Sequence, residues 1–145
     1  MKFLSSLMIM LVPLISQAKV TYNTDSEIGI HGYDPVSYIL LQKAQAGEKK
    51  LKADFDGVTY LFSTLDHKEK FLKDPNKYIP AYGGWCAYAM ADGEKVDVDP
   101  KSFKIIDGKV YLFYNGLWGN TLKKWIKDEV KLKEKADKSW KELIK

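Results

Sequence analysis

Cys86 is the one cysteine in the chain, and it stands in the run YGGWCAYAM at positions 82–90. A thiolate is both a nucleophile and a soft metal ligand. The spacing predicts a short helix over Trp85 to Ala91, set off by Gly83-Gly84 and stopped at Asp92-Gly93. Cys86 would lie in its first turn, where unpaired N–H groups and the helix dipole favour the thiolate. Met90, four residues on, would share that face, and a thiolate with a thioether suits Cu(I) better than harder cations. Two histidines complete the donors. His31 precedes the aromatic-rich GYDP block in a loop and is the better third ligand, on the expectation that this block and YGG meet around one pocket. His67, on a Lys/Glu-rich helix, reads as solvent-facing. The candidate metal ligands are therefore Cys86, His31 and Met90, and the candidate pocket residues are Tyr33, Asp34, Tyr82, Trp85 and Tyr88. Each has a plainer alternative. Free cysteine often packs as a small hydrophobe, and Met90, the tyrosines and Trp85 equally suit a core, with a phenol at a pocket lip able to bond a small ligand.

Other chemistries find less support. A Cys-His nucleophilic pair has no local signature here. There is no C-x-x-C for dithiol exchange, although a lone low-pKa thiol can still form mixed disulfides or a sulfenic acid. Gly83-Gly84 lacks the spacing and the Lys-Ser/Thr of a phosphate loop. The run VDVDP at 96–100 lacks the pattern and the glutamate of a calcium-binding EF-hand. The expected protein is a binding module for a metal ion or small molecule rather than an enzyme.

These residues must be positioned by a small set of elements. Asp34 reads as an N-cap and Pro35 as the first helical turn of a helix running to about Ala44. Alternating segments joined at Asp56-Gly57 and again at Asp107-Gly108 predict two β-hairpins, rich in Val, Ile, Tyr and Phe, and a small antiparallel sheet. Between them, a Ser/Thr cap and an Asp74-Pro75 stop bound a helix over Leu65 to Lys73. After Trp118, apolar residues at three- and four-residue steps predict an amphipathic C-terminal helix that packs its tryptophans across the sheet. The expected class is α+β.

The first residues, MKFLSSLMIMLVPLISQA, read as an export signal: Lys2, an apolar run, and small residues at Ser16 and Ala18. This divides the chain into a signal at 1–18 and one domain at 19–145, working in the periplasm or outside the cell and not spanning a membrane after cleavage. One cysteine makes no internal disulfide, so the core must hold the fold. All 23 basic residues are lysine, which argues against nucleic-acid recognition, where the arginine fork reads guanine and grips phosphate. From Thr121 onward nine lysines face five acids, against thirteen and fourteen over residues 19–120. The positive excess belongs to the tail, as a solvated helix face or, less simply, a contact with an anionic surface.

Three blocks, GYDPVSYI at 32–39, GVTYLFSTLDHKEKFLKDPNKYIPAYGGWCAYAM at 57–90 and DPKSFKIIDGKVYLFYN at 99–115, together resemble the exported YHS-domain proteins. That bacterial family has a signal peptide, a GYDPVAYF-like opening, a Y-x-F-S segment with a short helix and a DP-x-KY stop, and a YGG-[YW]-CA core. The resemblance covers nearly all of residues 19–145 and implies a small module of the kind found beside copper-transporting ATPases and mercury-related proteins, with copper or another soft metal ion as ligand. Relatives often carry a cysteine pair in the Y-x-F-C-S segment. Here Ser63 follows Phe62 directly and no cysteine follows, which leaves Cys86 as the sole thiolate candidate. The alternatives are a thiol-based redox or small-molecule-binding protein using Cys86, or a structural domain that meets a partner through its lysine-rich tail.

Overall fold

The computed structural model describes residues 20–145; the expected export signal over residues 1–18 lies outside them. The described chain opens with two short strands, β1 (Thr24–Asp25) and β2 (Ile28–Gly29), and a 3-10 turn over Ile30–Gly32. Helix α1 (Pro35–Leu41) follows, with Asp34 as its N-cap accepting from the Val36 N–H at 2.9 Å. It ends earlier than its apolar pattern suggests, because Gln42 adopts a left-handed conformation. Strands β3 (Glu48–Phe55) and β4 (Val58–Phe62) form the first hairpin, then α2 (Leu65–Lys73) and α3 (Pro75–Tyr78) lead to a second 3-10 turn at Ala81–Gly84. A four-residue helix, α4 (Ala87–Met90), precedes the second hairpin of β5 (Asp99–Ile106) and β6 (Lys109–Phe113). A small hairpin, β7 (Asn115–Gly116) with β8 (Gly119–Asn120), leads into α5 (Thr121–Trp125) and α6 (Glu129–Leu143).

The class is α+β, with small antiparallel sheets. The two large hairpins stand in separate sheets, because β2 takes the free edge of β4 in a parallel pairing at Ile28↔Thr59 and gives the order β1-β2-β4-β3. The expected single C-terminal helix is two: it breaks between Trp125 and Glu129, where Asp128 leaves helical geometry.

The two large hairpins share one register. Every Cα pair of the first recurs in the second, shifted by 51 positions: Phe55↔Val58 becomes Ile106↔Lys109, and Glu48↔Phe62 becomes Asp99↔Phe113. The bulge recurs too, between Glu48 and Lys52 and between Asp99 and Phe103. Both turns hold Asp then Gly at positive φ, the backbone that suits a two-residue hairpin loop. Each hairpin is preceded by a 3-10 turn ending in Gly-aromatic-X and a short helix: Gly32-Tyr33-Asp34 before α1 and Gly84-Trp85-Cys86 before α4. Asp34 N–H donates to Gln45 O at 2.8 Å, and Cys86 N–H to Val96 O at 2.9 Å. The fold is thus two copies of one unit, with Asp34 and Cys86 at matching positions.

Strand β6 divides the interior. Alternate side chains of a strand point to opposite faces, and Val110 and Leu112 enter a core with Tyr38, Tyr60, Phe62, Phe71 and Cys86. Tyr111 and Phe113 enter a second core with Tyr82, Met90, Trp125 and Ala136. The repeated Tyr-Leu-Phe triplets, 60–62 and 111–113, each set two aromatic rings against a helix residue. Tyr60 and Phe62 lie 5.0 and 5.1 Å from Phe71, and Tyr111 and Phe113 lie 6.1 and 5.5 Å from Trp125, ring centre to ring centre.

Candidate functional site

Cys86 is fully buried. It occupies the N-cap position of α4 rather than its first turn, with φ −56° and ψ 118°. Its Sγ accepts from the Tyr114 N–H at 3.4 Å and lies 3.4 Å from Thr121 Oγ1. Thr121 Oγ1 in turn donates to Tyr114 O at 2.9 Å, so its proton is used and the thiol is left to donate to Thr121. Met90 is also fully buried, but in the second core. Although the Met90 N–H donates to Cys86 O at 3.0 Å, Cys86 packs in the first core and Met90 in the second. His31 Nε2 is paired with Asp97 Oδ1 at 2.8 Å, near the surface. His31 is linked to the YGG turn through two intermediaries, since Asn23 Nδ2 donates to both Asp97 Oδ1 and Gly84 O. Burial pushes the Asp97 carboxyl up, and the bonds from Asn23, His31 and the Val98 N–H outweigh it, leaving it below the usual carboxylate range. Among the described residues no group of three or more His, Cys, Asp or Glu side chains could hold a metal ion.

The matching position in the first unit is more polar. Asp34, also fully buried, accepts at Oδ2 from Ser63 N–H at 2.8 Å and Ser63 Oγ at 2.6 Å, with His67 Nδ1 at 2.6 Å. His67 is 7% exposed, so the expectation of a solvent-facing histidine is corrected. Its Lys/Glu neighbours describe the outer face of α2, whereas its partner lies 33 residues earlier in the chain. The two nodes share one bond, although Asp34 also caps its helix through the Val36 N–H and Cys86 makes no side-chain cap bond. Ser63 N–H and Tyr114 N–H, each the residue after a Tyr-Leu-Phe triplet, donate to Asp34 and Cys86 respectively. Both side chains tie the start of a short helix to the end of a hairpin.

Of the five expected pocket residues, Tyr82 alone lines a cleft of about 390 Å³ between the YGG turn, β6 and α6. Tyr33 packs on the first core, Asp34 is sealed in its node, Trp85 Nε1 donates to Thr21 O, and Tyr88 lies under the Lys124 ammonium. The cleft walls carry Tyr22, Ile79, Tyr82, Tyr111 and Trp140, with Lys109 and Asp137 as the charged groups. Gly83 is required at its rim: φ is +62°, and a Cβ would meet the Trp140 ring at 3.0 Å. Asp137 is occupied, accepting from Tyr82 Oη and from Lys133 Nζ, each at 2.8 Å. Burial, and then the bond to Asp137, push the Tyr82 phenol well up. Lys109 is not so occupied. It is half-buried, it donates to Asn76 O at 2.7 Å, and no carboxylate lies within ion-pair distance of it among the described residues. Burial holds its ammonium below the usual lysine range, opposed only by the field of Asp74.

Lys109, Tyr111, Asp137 and Trp140 were missed by motif reasoning because they come from a hairpin strand and a terminal helix that no local spacing links. The available signal was slight: Lys109 replaces, at the start of β6, the Val58 that opens β4. The described residues form an α+β fold with an aromatic cleft in which Lys109 has no carboxylate within ion-pair distance among them. No family model, curated protein or solved structure matches the chain.

Proposed function

We propose that the chain is an exported, non-catalytic YHS-type module that works outside the cytoplasm, and that its cleft takes a small organic anion with a planar or apolar body. The observation that carries this reading is Lys109, a half-buried ammonium on the wall of an aromatic cleft with no carboxylate partner among the described residues. Leaving a charge partly desolvated is costly unless something completes it. An anionic ligand does so, while Tyr22, Tyr111 and Trp140 cover its apolar part. A thiol-based role for Cys86, in soft-metal binding or redox chemistry, is the other reading. It has less support, since the thiol is already bonded on both sides and sealed from solvent.

The test uses anilinonaphthalene sulfonate as probe, an aromatic body with one anionic group. We expect saturable binding at one equivalent, and a loss in Lys109→Met of roughly tenfold or more, as for removal of a charge-assisted hydrogen bond. Binding requires the ammonium, so affinity should fall as pH rises through the lowered Lys109 pKa, earlier than for an exposed lysine. Equal affinity in Lys109→Met, or equal affinity for the uncharged anilinonaphthalene, overturns the reading.

A further inference from the structure

The β7–β8 hairpin is an addition to the repeated unit. In the first unit the chain passes from β4 to α2 through Ser63 and Thr64 alone, whereas in the second it leaves at Tyr114 and returns at Thr121, whose N–H donates to Tyr114 O at 3.0 Å. The excursion between them supports neither core. Its two-residue tip is Leu117 and Trp118, 99% and 84% exposed. The tip is held, not loose: Trp118 N–H donates to Tyr114 Oη at 3.3 Å, and Asn120 caps α5 through Leu122 N–H. Next in the chain, α5 carries Lys123 and Lys124, the latter with its ammonium over the Tyr88 ring, and Lys127 follows. None of the three has a carboxylate within ion-pair distance among the described residues.

A rigid spur tipped with leucine and tryptophan and followed by these lysines has two conceivable kinds of partner. A stable protein interface needs on the order of 800 Å² from each side, and two side chains on a narrow hairpin present no such face. Entry into a lipid interface needs only depth. Tryptophan and leucine favour the boundary between headgroups and acyl chains, and lysines near an anionic leaflet are drawn to its headgroups. No helix among the described residues is long and apolar enough to cross a membrane. We propose that the protein docks on an anionic lipid bilayer, seating Leu117 and Trp118 among the headgroups with Lys123, Lys124 and Lys127 against the phosphates. The site is separate from the cleft and does not rest on its reading.

The experiment co-sediments the full chain with phosphatidylcholine vesicles, with and without phosphatidylglycerol. It compares wild type with Leu117→Ser/Trp118→Ser and with Lys123→Gln/Lys124→Gln/Lys127→Gln. All these positions are surface-exposed, and circular dichroism confirms that each variant stays folded. Residues 1–19 are the same in every chain, so differences report on the spur. We expect binding to the phosphatidylglycerol vesicles, weakened roughly tenfold or more by the tip variant, with the lysine variant losing the preference for anionic lipid and the salt sensitivity. Equal binding of wild type and tip variant, or no effect of phosphatidylglycerol, overturns the proposal. So does a concentration-dependent dimer that the tip variant abolishes, since that assigns the spur to a second copy of the chain.

Discussion

Replacing Asp34 by alanine should remove a large share of the stability of the fold. The carboxyl group is wholly buried and takes bonds from the Val36 N–H, the Ser63 N–H, the Ser63 hydroxyl and the His67 ring. Loss of the cap on α1 costs about 1 kcal/mol. The Ser63 N–H, left without an acceptor, costs about 1–3 kcal/mol more, while the Ser63 hydroxyl and His67 can turn toward each other, already being 3.3 Å apart. The total is about 2–4 kcal/mol against the roughly 5–15 kcal/mol that holds a domain together. For a domain of this size that lowers Tm by about 10 °C. Urea unfolding followed by circular dichroism measures it, with an unchanged slope indicating that the unfolded state is not the cause. Because His67→Ala breaks the same node, the double variant should cost less than the two singles together, by about 1–3 kcal/mol. Asp34→Asn, which keeps the cap but turns an amide toward the Ser63 N–H and His67, should fall between. A loss under about 1 kcal/mol for Asp34→Ala, additive with His67→Ala, would refute the argument.

The structural reading of Cys86 predicts that its thiol is alkylated at the rate of unfolding rather than that of a free thiol, and that Cys86→Ala costs about 1–2 kcal/mol by leaving the Tyr114 N–H without its acceptor. Tight stoichiometric Cu(I) binding in an anaerobic chelator competition, lost in Cys86→Ser, would sink it and restore the metal reading. Ser102 Oγ is buried in the bulge of β5 with no hydrogen-bond partner among the described residues, where the first unit has Leu51. Ser102→Ala should therefore stabilise by about 1 kcal/mol in the same urea assay, and a destabilisation of that size would show that the hydroxyl is satisfied.

Much of the frame is legible from local chemistry. Asp56-Gly57 and Asp107-Gly108 announce the hairpins, Asp34-Pro35 starts α1, and Thr64 with Asp74-Pro75 bounds α2 where expected. Strands of two residues carry no periodic signal, so β1, β2 and the parallel pairing went unread. The repeat is visible in sequence as Asp-Gly and Tyr-Leu-Phe at a constant offset, but its other half is a correspondence of Gly-Tyr-Asp with Gly-Trp-Cys, too slight to see without the shared backbone bonds. The site was harder still. Tyr82 was found because it belongs to a motif, whereas Lys109 and Trp140 meet it only through tertiary packing. Cys86 and Met90, four residues apart, enter different cores, a division that spacing alone does not reveal.

Because β6 sends alternate side chains into two interiors, neither interior has a wall of its own. Melting either one strips one face of the strand, and the other face cannot remain in place without it. Although the chain repeats a unit, the two copies are therefore not independent modules, and they should lose their structure in a single cooperative event. A duplicated unit joined in this way cannot shed one half and keep the other, which confines variation to additions at its margins, such as the hairpin that carries Leu117 and Trp118.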